Sequence, residues 1–319
     1  MEGADAGDPE SAGTADAHLG RRKFAGCANF SSVSMPELPE VETVVRGLRP
    51  TLTGKRIMRV RLGKTDFIED PPALVAHLPS RRVASVRRHG KFLLFDLESP
   101  DASPRKSLLL IHLGMTGQLV VCQPEAPVAA HTHAFFTLDD GSELRYRDIR
   151  RFGSIRILAD GAPSDILGLL GLDPLEATEA EFRARIQSRR ARIKALLLDQ
   201  RVLRGMGNIY TDESLWRARL HPARLGANLS RAELHSLYVA MRRVLAQAIR
   251  LRGSSISDYV DSQGLPGKFQ QRHCVYGRKG KKCLRCGAAI RRETVAGRSS
   301  YFCPKCQRAP RRARQNSSR

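Results

Sequence analysis

Met35-Pro-Glu-Leu-Pro-Glu-Val-Glu42 is the stretch from which the rest of this 319-residue chain can be read. Val41, Val44, Val45 and Leu48 fall at i, i+3, i+4 and i+7, which predicts one apolar helical face over 39–49. Pro39 suits the first turn of that helix, where a missing N–H costs nothing, and Glu40 and Glu42 suit the positive end of its dipole. Pro36 and Glu37 are thereby mounted on a helix packed against a core, a rigid platform for chemistry. Pro36 has two possible characters. Inside a chain its nitrogen is a tertiary amide, with neither N–H nor basicity, and the residue simply opens a helix. As a first residue it is a secondary amine, which requires a mature chain that begins at Pro36.

The segment before it supports the second character. Residues 1–34 hold five acidic and three basic residues among many Ala, Gly, Asp and Ser, a composition that predicts a disordered extension. Arg21-Arg22-Lys23-Phe24 and Phe24-Ala-Gly-Cys27 superficially resemble export signals, but no apolar stretch of the needed length follows the arginines. The simplest account is a start codon placed upstream of the true one, Met35.

After the first helix the pattern shortens to β-like runs. Arg56–Leu62, Arg82–Arg88, Lys91–Leu97, Ser107–Leu113, Gln118–Cys122, Ala134–Leu138, Glu143–Tyr146 and Ser154–Leu158 are predicted strands, with turns such as His89-Gly90 and Asp140-Gly141 between them. Eight strands and one helix predict an antiparallel β-sandwich over 35–162. From 163 to 260 the pattern is helical, with helices expected at Glu179–Ser188, Arg192–Asp199, Ile209–Ala218 and Ser230–Arg252. The fold class is therefore α+β. A Gly/Ser/Gln-rich loop follows, then a cysteine module over 273–307 and a basic tail over 308–319.

Charge and cysteines narrow the function. The chain has 54 Lys+Arg against 32 Asp+Glu, a net +22; with −2 on the leader, +24 falls on the remainder. Acidic residues solubilise better than basic ones, so this excess points to a nucleic-acid partner. No apolar run approaches a membrane span, so no membrane partner is expected. Cys283-x2-Cys286-x16-Cys303-x2-Cys306 offers four thiolates at a spacing that closes a tetrahedral Zn²⁺ from two turns of a β-hairpin. With no open coordination position, such a zinc is structural. Thiols used this way imply a reducing compartment. Cys27, Cys122 and Cys274 are left over as ordinary thiols.

Further motifs stand in order along 35–306: His89-Gly-Lys-Phe92, His112-Leu-Gly-Met-Thr-Gly117, Arg145-Tyr-Arg-Asp-Ile-Arg-Arg-Phe-Gly153, Gly205-Met-Gly-Asn-Ile-Tyr210 and Val275-Tyr-Gly-Arg-Lys-Gly280. Together with the opening stretch and the four cysteines, this ordered set resembles the bacterial formamidopyrimidine-DNA glycosylases. The resemblance implies an N-terminal β-sandwich, a helix-two-turn-helix domain and a zinc hairpin. It also implies excision of 8-oxoguanine and formamidopyrimidines from double-stranded DNA, followed by abasic-site lyase cleavage with β,δ-elimination. The enzyme would be a monomer, cytoplasmic in a bacterium and associated with its nucleoid.

The same resemblance assigns roles. Pro36 would be the nucleophile, forming a Schiff base with the sugar. Glu37 would be the general acid for the ring oxygen, and Lys91 and Arg298 would serve the eliminations. Met115, Arg150 and Phe152 would fill the gap left by the extruded base. Arginine's donors suit an orphaned cytosine, and phenylalanine can wedge between bases. For Phe152 alone, burial in the core is the simpler reading. His112, Asn208 and Tyr276 would grip the backbone; His131, Arg189 and Lys194 are similar to further DNA-contacting positions, though His131 equally suits a structural histidine. The loop 261–272 would cover the flipped base. His273 stands where an apolar residue is expected, and Lys268 where many relatives differ. Two rivals remain: a sister glycosylase for oxidised pyrimidines, which usually has glycine where Leu38 stands, and a non-catalytic DNA-binding protein if the leader stays attached.

Overall fold

The computed structural model describes residues 35–100, 106–158, 165–256 and 258–309. The expectations for the leader, Cys27 and the tail beyond 309 lie outside these residues. The described residues belong to one compact unit.

Helix α1 (Leu38–Leu52) opens the fold with Glu37 at its N-cap and Pro39 in its first turn. Its apolar stripe does two jobs. Val41, Val44, Val45, Leu48 and Leu52 enter the sandwich core, while Leu38 enters the core of the helical domain. Burying each of these side chains contributes about 1.5–3 kcal/mol, so the helix is tied to both cores.

Strands β1 (Ile57–Leu62), β2 (Arg82–His89), β3 (Phe92–Glu98), β4 (Lys106–His112), β5 (Gly117–Cys122), β6 (Thr132–Leu138), β7 (Glu143–Asp148) and β8 (Ser154–Leu158) follow the eight predicted runs closely. They form two antiparallel four-stranded sheets, ordered β1-β6-β7-β5 and β2-β3-β4-β8. Residues such as Leu93, Phe95, Ile111, Phe136 and Tyr146 fill the space between them. The expectation of a single helix is corrected here. A second, α2 (Pro71–His77), is capped by the Asp70 side chain accepting the Ala73 N–H at 2.9 Å. Only Leu74 of this helix is buried, so it left no periodicity in the sequence.

The helical part contains α3 (Asp165–Gly168), α4 (Glu179–Gln187), α5 (Ile193–Leu198), α6 (Asn208–Arg217) and α7 (Arg231–Arg250). α4 and α7 start on capping boxes built from Thr178 with Glu181 and from Ser230 with Glu233. The two parts are clamped by Arg88, which pairs with Glu42 of α1 at 2.9 Å and with buried Asp173 at 2.8 Å. A hairpin, β9 (Arg291–Val295) and β10 (Arg298–Phe302), completes the fold.

Candidate active site

The first turn of α1 meets the first turn of α6. The Glu37 carboxylate accepts the Ile209 N–H at 3.0 Å and the Tyr210 N–H at 3.3 Å, filling the anion site that a helix N-terminus offers. Gly207 makes this approach possible, because a Cβ there would lie 2.2 Å from the Glu37 carboxyl carbon. Gly205, at φ +91°, brings its carbonyl to the Leu38 N–H at 2.9 Å. The Gly205-Met-Gly207 turn is thus a socket for the N-terminal stretch.

Pro36 is buried beside it, and Glu37 is 3 % exposed. Burial pushes the Glu37 carboxyl up to about 7, with Lys91 and the two amides pulling it down and Glu40 raising it. A carboxyl held there is partly protonated at neutral pH, the condition for a general acid. Lys91 follows the β2–β3 turn at Gly90. Its charge also acts on His112, whose ring is driven down to about 4 by burial first and by Lys91 second. Nδ1 of His112 accepts the Gly114 N–H at 3.1 Å, which fixes a neutral ring.

Met115, Arg150 and Phe152 come together from two turns. Asp148, 0 % exposed, is what joins them. Its carboxylate accepts the Thr116 hydroxyl at 2.5 Å, the Tyr146 hydroxyl at 3.1 Å and the Gly153 N–H at 2.9 Å. Thr116 Oγ1 in turn accepts the Arg150 N–H at 3.0 Å. Gly114, at φ +61°, packs so closely that a Cβ would lie 2.3 Å from the Phe152 carbonyl carbon. On this anchored backbone the Arg150 guanidinium sits 4.6 Å from the Phe152 ring centre, and Phe152 is 50 % exposed. It is therefore not a core residue. Asp148 and Thr116 were not singled out from the sequence, although both lie inside motifs that were.

The remaining expected contacts divide. Asn208 opens α6, with Nδ2 donating to the Ser299 carbonyl at 3.0 Å. Tyr276 is half-buried and stacks edge-on with Tyr301, ring centres 5.2 Å apart. Arg298 is exposed at the start of β10. His131 is exposed at φ +66°, and its carbonyl accepts the Asp148 N–H at 3.0 Å. The half-buried Arg189 donates to the Arg185 carbonyl at 3.1 Å. Lys194 differs from the sequence expectation of a DNA contact. It is 0 % exposed and donates to Asp212 at 2.6 Å and to the Ser299 carbonyl at 2.8 Å. Asp212, buried and pushed up to about 6, also accepts the Tyr301 N–H at 2.9 Å. Lys194 here ties the helical domain to the hairpin and faces no solvent.

The cysteine module is fastened to α6 by Glu213, which accepts the N–H groups of Cys274, Val275 and Tyr276 at 2.9–3.0 Å. The Trp216 indole N–H points at Cys283 Sγ, 3.4 Å away. Among the described residues, Cys283, Cys286, Cys303 and Cys306 form the group suited to a metal, with their sulfurs within 4.8 Å of one another. A tetrahedral zinc at about 2.3 Å from each sulfur needs separations of about 3.8 Å, so the quartet fits one ion. The ion would hold the hairpin rigid and leave no coordination position for chemistry.

Comparison with known proteins agrees with this architecture part by part. Residues 35–155 match the formamidopyrimidine-DNA glycosylase N-terminal domain, 170–260 the formamidopyrimidine-DNA glycosylase H2TH domain, and 280–309 a zinc finger found in FPG and IleRS. A formamidopyrimidine-DNA glycosylase from Heliobacterium modesticaldum is 46 % identical over 283 residues, covering 86 % of this chain and all of that protein. The crystal structure of the Thermus thermophilus protein superposes with TM-score 0.74 at 41 % identity, covering 85 % of this chain and 98 % of that one. A Lactococcus lactis relative in complex with Fapy-dG-containing DNA superposes with TM-score 0.76 at 33 % identity, covering 86 % and 100 %. Among the described residues no helix is long and apolar enough to cross a membrane.

Proposed function

This chain belongs to the formamidopyrimidine-DNA glycosylase family, and from that premise we propose how its own residues carry the reaction. The protein is a base-excision-repair enzyme, a DNA glycosylase and abasic-site lyase for oxidised purines in double-stranded DNA, with one structural zinc.

Pro36, freed as the first residue, is the nucleophile. An α-amine has a reference pKa of about 7.7–8.0, so about a tenth is neutral at pH 7, far more than for a lysine. Its lone pair forms the bond to the sugar C1′ as the bond to the base breaks and the base leaves with the bonding pair. Glu37 gives its proton to the ring oxygen as that bond opens. The amine loses its own proton, and an iminium remains. The iminium draws electrons from C2′ as a proton leaves there, which breaks the 3′ C–O bond; the second elimination breaks the 5′ C–O bond. Lys91 and Arg298 attend these departures. Hydrolysis of the iminium returns the free amine.

The observation that carries this reading is the Glu37 carboxyl: adjacent to Pro36, enclosed, and pushed up to about 7. Met115, Arg150 and Phe152 fill the vacated stack, while His112, Asn208, Tyr276, His131 and Arg189 hold the backbone. The loop 261–272 lies over the base. A DNA substrate and a reduced thiol quartet support a cytoplasmic, nucleoid-associated setting.

Borohydride trapping on a duplex with 8-oxoguanine opposite C tests the nucleophile. A chain translated from Met35, whose initiator methionine precedes proline and is trimmed, is expected to form the covalent adduct. A chain with residues 1–34 verified as attached is expected not to. Adduct from neither chain would leave only a DNA-binding protein. Adduct from the verified leader-bearing chain would assign another amine.

A further inference from the structure

A buried polar chain runs from the first turn of α1 to the far side of α6, and the proposed reaction does not yet use it. Glu40, 2 % exposed, accepts the Glu37 N–H at 2.9 Å, the Ser254 N–H at 2.7 Å and the Tyr210 hydroxyl at 2.5 Å. The Tyr210 hydroxyl lies 3.4 Å from Ser254 Oγ, which lies 3.1 Å from His273 Nε2. Tyr210 therefore touches both acids, Glu37 through its backbone N–H and Glu40 through its hydroxyl. Gly253, at φ +76°, leaves room for this, since a Cβ there would lie 2.6 Å from Glu40 Oε1.

Glu37 and Glu40 are both enclosed, and Glu40 raises Glu37, so each carboxyl opposes the other's ionisation and one of them keeps its proton. Donors decide which one keeps it. Burial raises both carboxyls, and at Glu40 the Tyr210 hydroxyl and the Ser254 and Glu37 amides oppose that rise. We propose that Tyr210, Ser254 and His273 are positioning residues that hold the negative charge of the pair on Glu40 and leave the proton on Glu37. The inference rests on Glu37 being the acid.

His273 closes the chain. Its ring packs against Phe269 and Tyr276, centres 5.5 and 5.6 Å away. Burial lowers its pKa, with Glu213 raising it and Arg278 lowering it. A neutral ring protonated on Nε2 donates to Ser254 Oγ, the Ser254 hydroxyl donates to Tyr210, and Tyr210 donates to Glu40. Lys91 faces Glu37, as do Lys194, Tyr210 and Tyr276; Tyr210 and Tyr259 face Glu40. Ser254 and His273 flank the loop proposed to cover the base.

The test uses the chain translated from Met35. Base release from 8-oxoguanine opposite C is followed in single turnovers across about pH 5.5–9 for wild type, Tyr210→Phe, His273→Leu and His273→Gln. Borohydride trapping on a preformed abasic site runs in parallel, since that substrate has no base to lose. Removing a donor from Glu40 draws the proton there, so Glu37 ionises at lower pH. The alkaline limb is expected to fall by about one pH unit in Tyr210→Phe and by about half that in His273→Leu, with His273→Gln restored by its amide N–H donor. Half-saturation and abasic trapping stay near wild type. Lower rates with an unmoved limb in both variants would overturn the inference and leave a merely structural network. Failure of wild type to trap would instead overturn the Pro36 assignment, and this inference with it.

Discussion

Glu37 is 3 % exposed and Phe152 is 50 % exposed, yet the backbones that carry them are held with equal care. The Glu37 N–H is bound by Glu40; Phe152 stands on a turn whose Gly153 N–H is bound by Asp148. The difference matches what each side chain must meet in its proposed role. A proton donor needs enclosure, because removal from water is what raises a carboxyl toward neutral pH. A wedge between bases needs reach, so the holding is delegated to a neighbour and the ring is left free of the core. Enclosure serves charge, and exposure serves insertion.

The sharpest way to break this contrast is at the acid. Glu37→Gln is expected to cut base release about 10²–10⁴-fold while abasic trapping persists, measured in single turnovers. The same acid sets a pH dependence. In its proposed role it acts in the protonated form, so wild-type base release should decline as pH rises through about 7. A rate that climbs steadily through that range would remove Glu37 from the role.

The second effect falls on stability. Asp148→Ala strips the acceptor from two hydroxyls and an amide in a dry site, and a loss of about 3 kcal/mol is expected in chemical denaturation. The smallest effect on stability, and the one that sharpens the comparison, is Phe152→Ala. Stability should stay within about 0.5 kcal/mol of wild type, as for other exposed positions. Affinity for a duplex with an abasic site should weaken by about 1–3 kcal/mol, the worth of one base–aromatic stack. Equal destabilisation by the two substitutions would mean that Phe152 is a packing residue after all.

Much of this molecule was legible in its sequence because its elements are long and their periods clean. The eight strands of the sandwich and helices α4 to α7 fall within a residue or two of their predicted bounds, α1 runs on to Leu52, and the four cysteines gather as their spacing implies. Helix α2 escaped because a surface turn with one buried leucine has no stripe. At the site, Pro36 and Glu37 were visible from the helix they open. Glu40 was read only as a dipole-friendly charge, although Glu37-x-x-Glu40 is spaced like a capping box and hinted at more. Asp148, Tyr210 and Glu213 act through partners that are remote in the chain or are backbone amides, and no local pattern encodes that. Lys194 shows the converse. Its similarity to a DNA-contacting position of the family implied a DNA contact, and only the fold brings Asp212 and the Ser299 carbonyl around it.

The central claim is that the amine of Pro36 bonds to the sugar. Digesting the borohydride-reduced adduct and locating the sugar remnant by mass spectrometry tests it directly. The account predicts the added mass on the N-terminal peptide, at Pro36. Finding it on Lys91 or another lysine, with the N-terminal peptide unmodified, would contradict it.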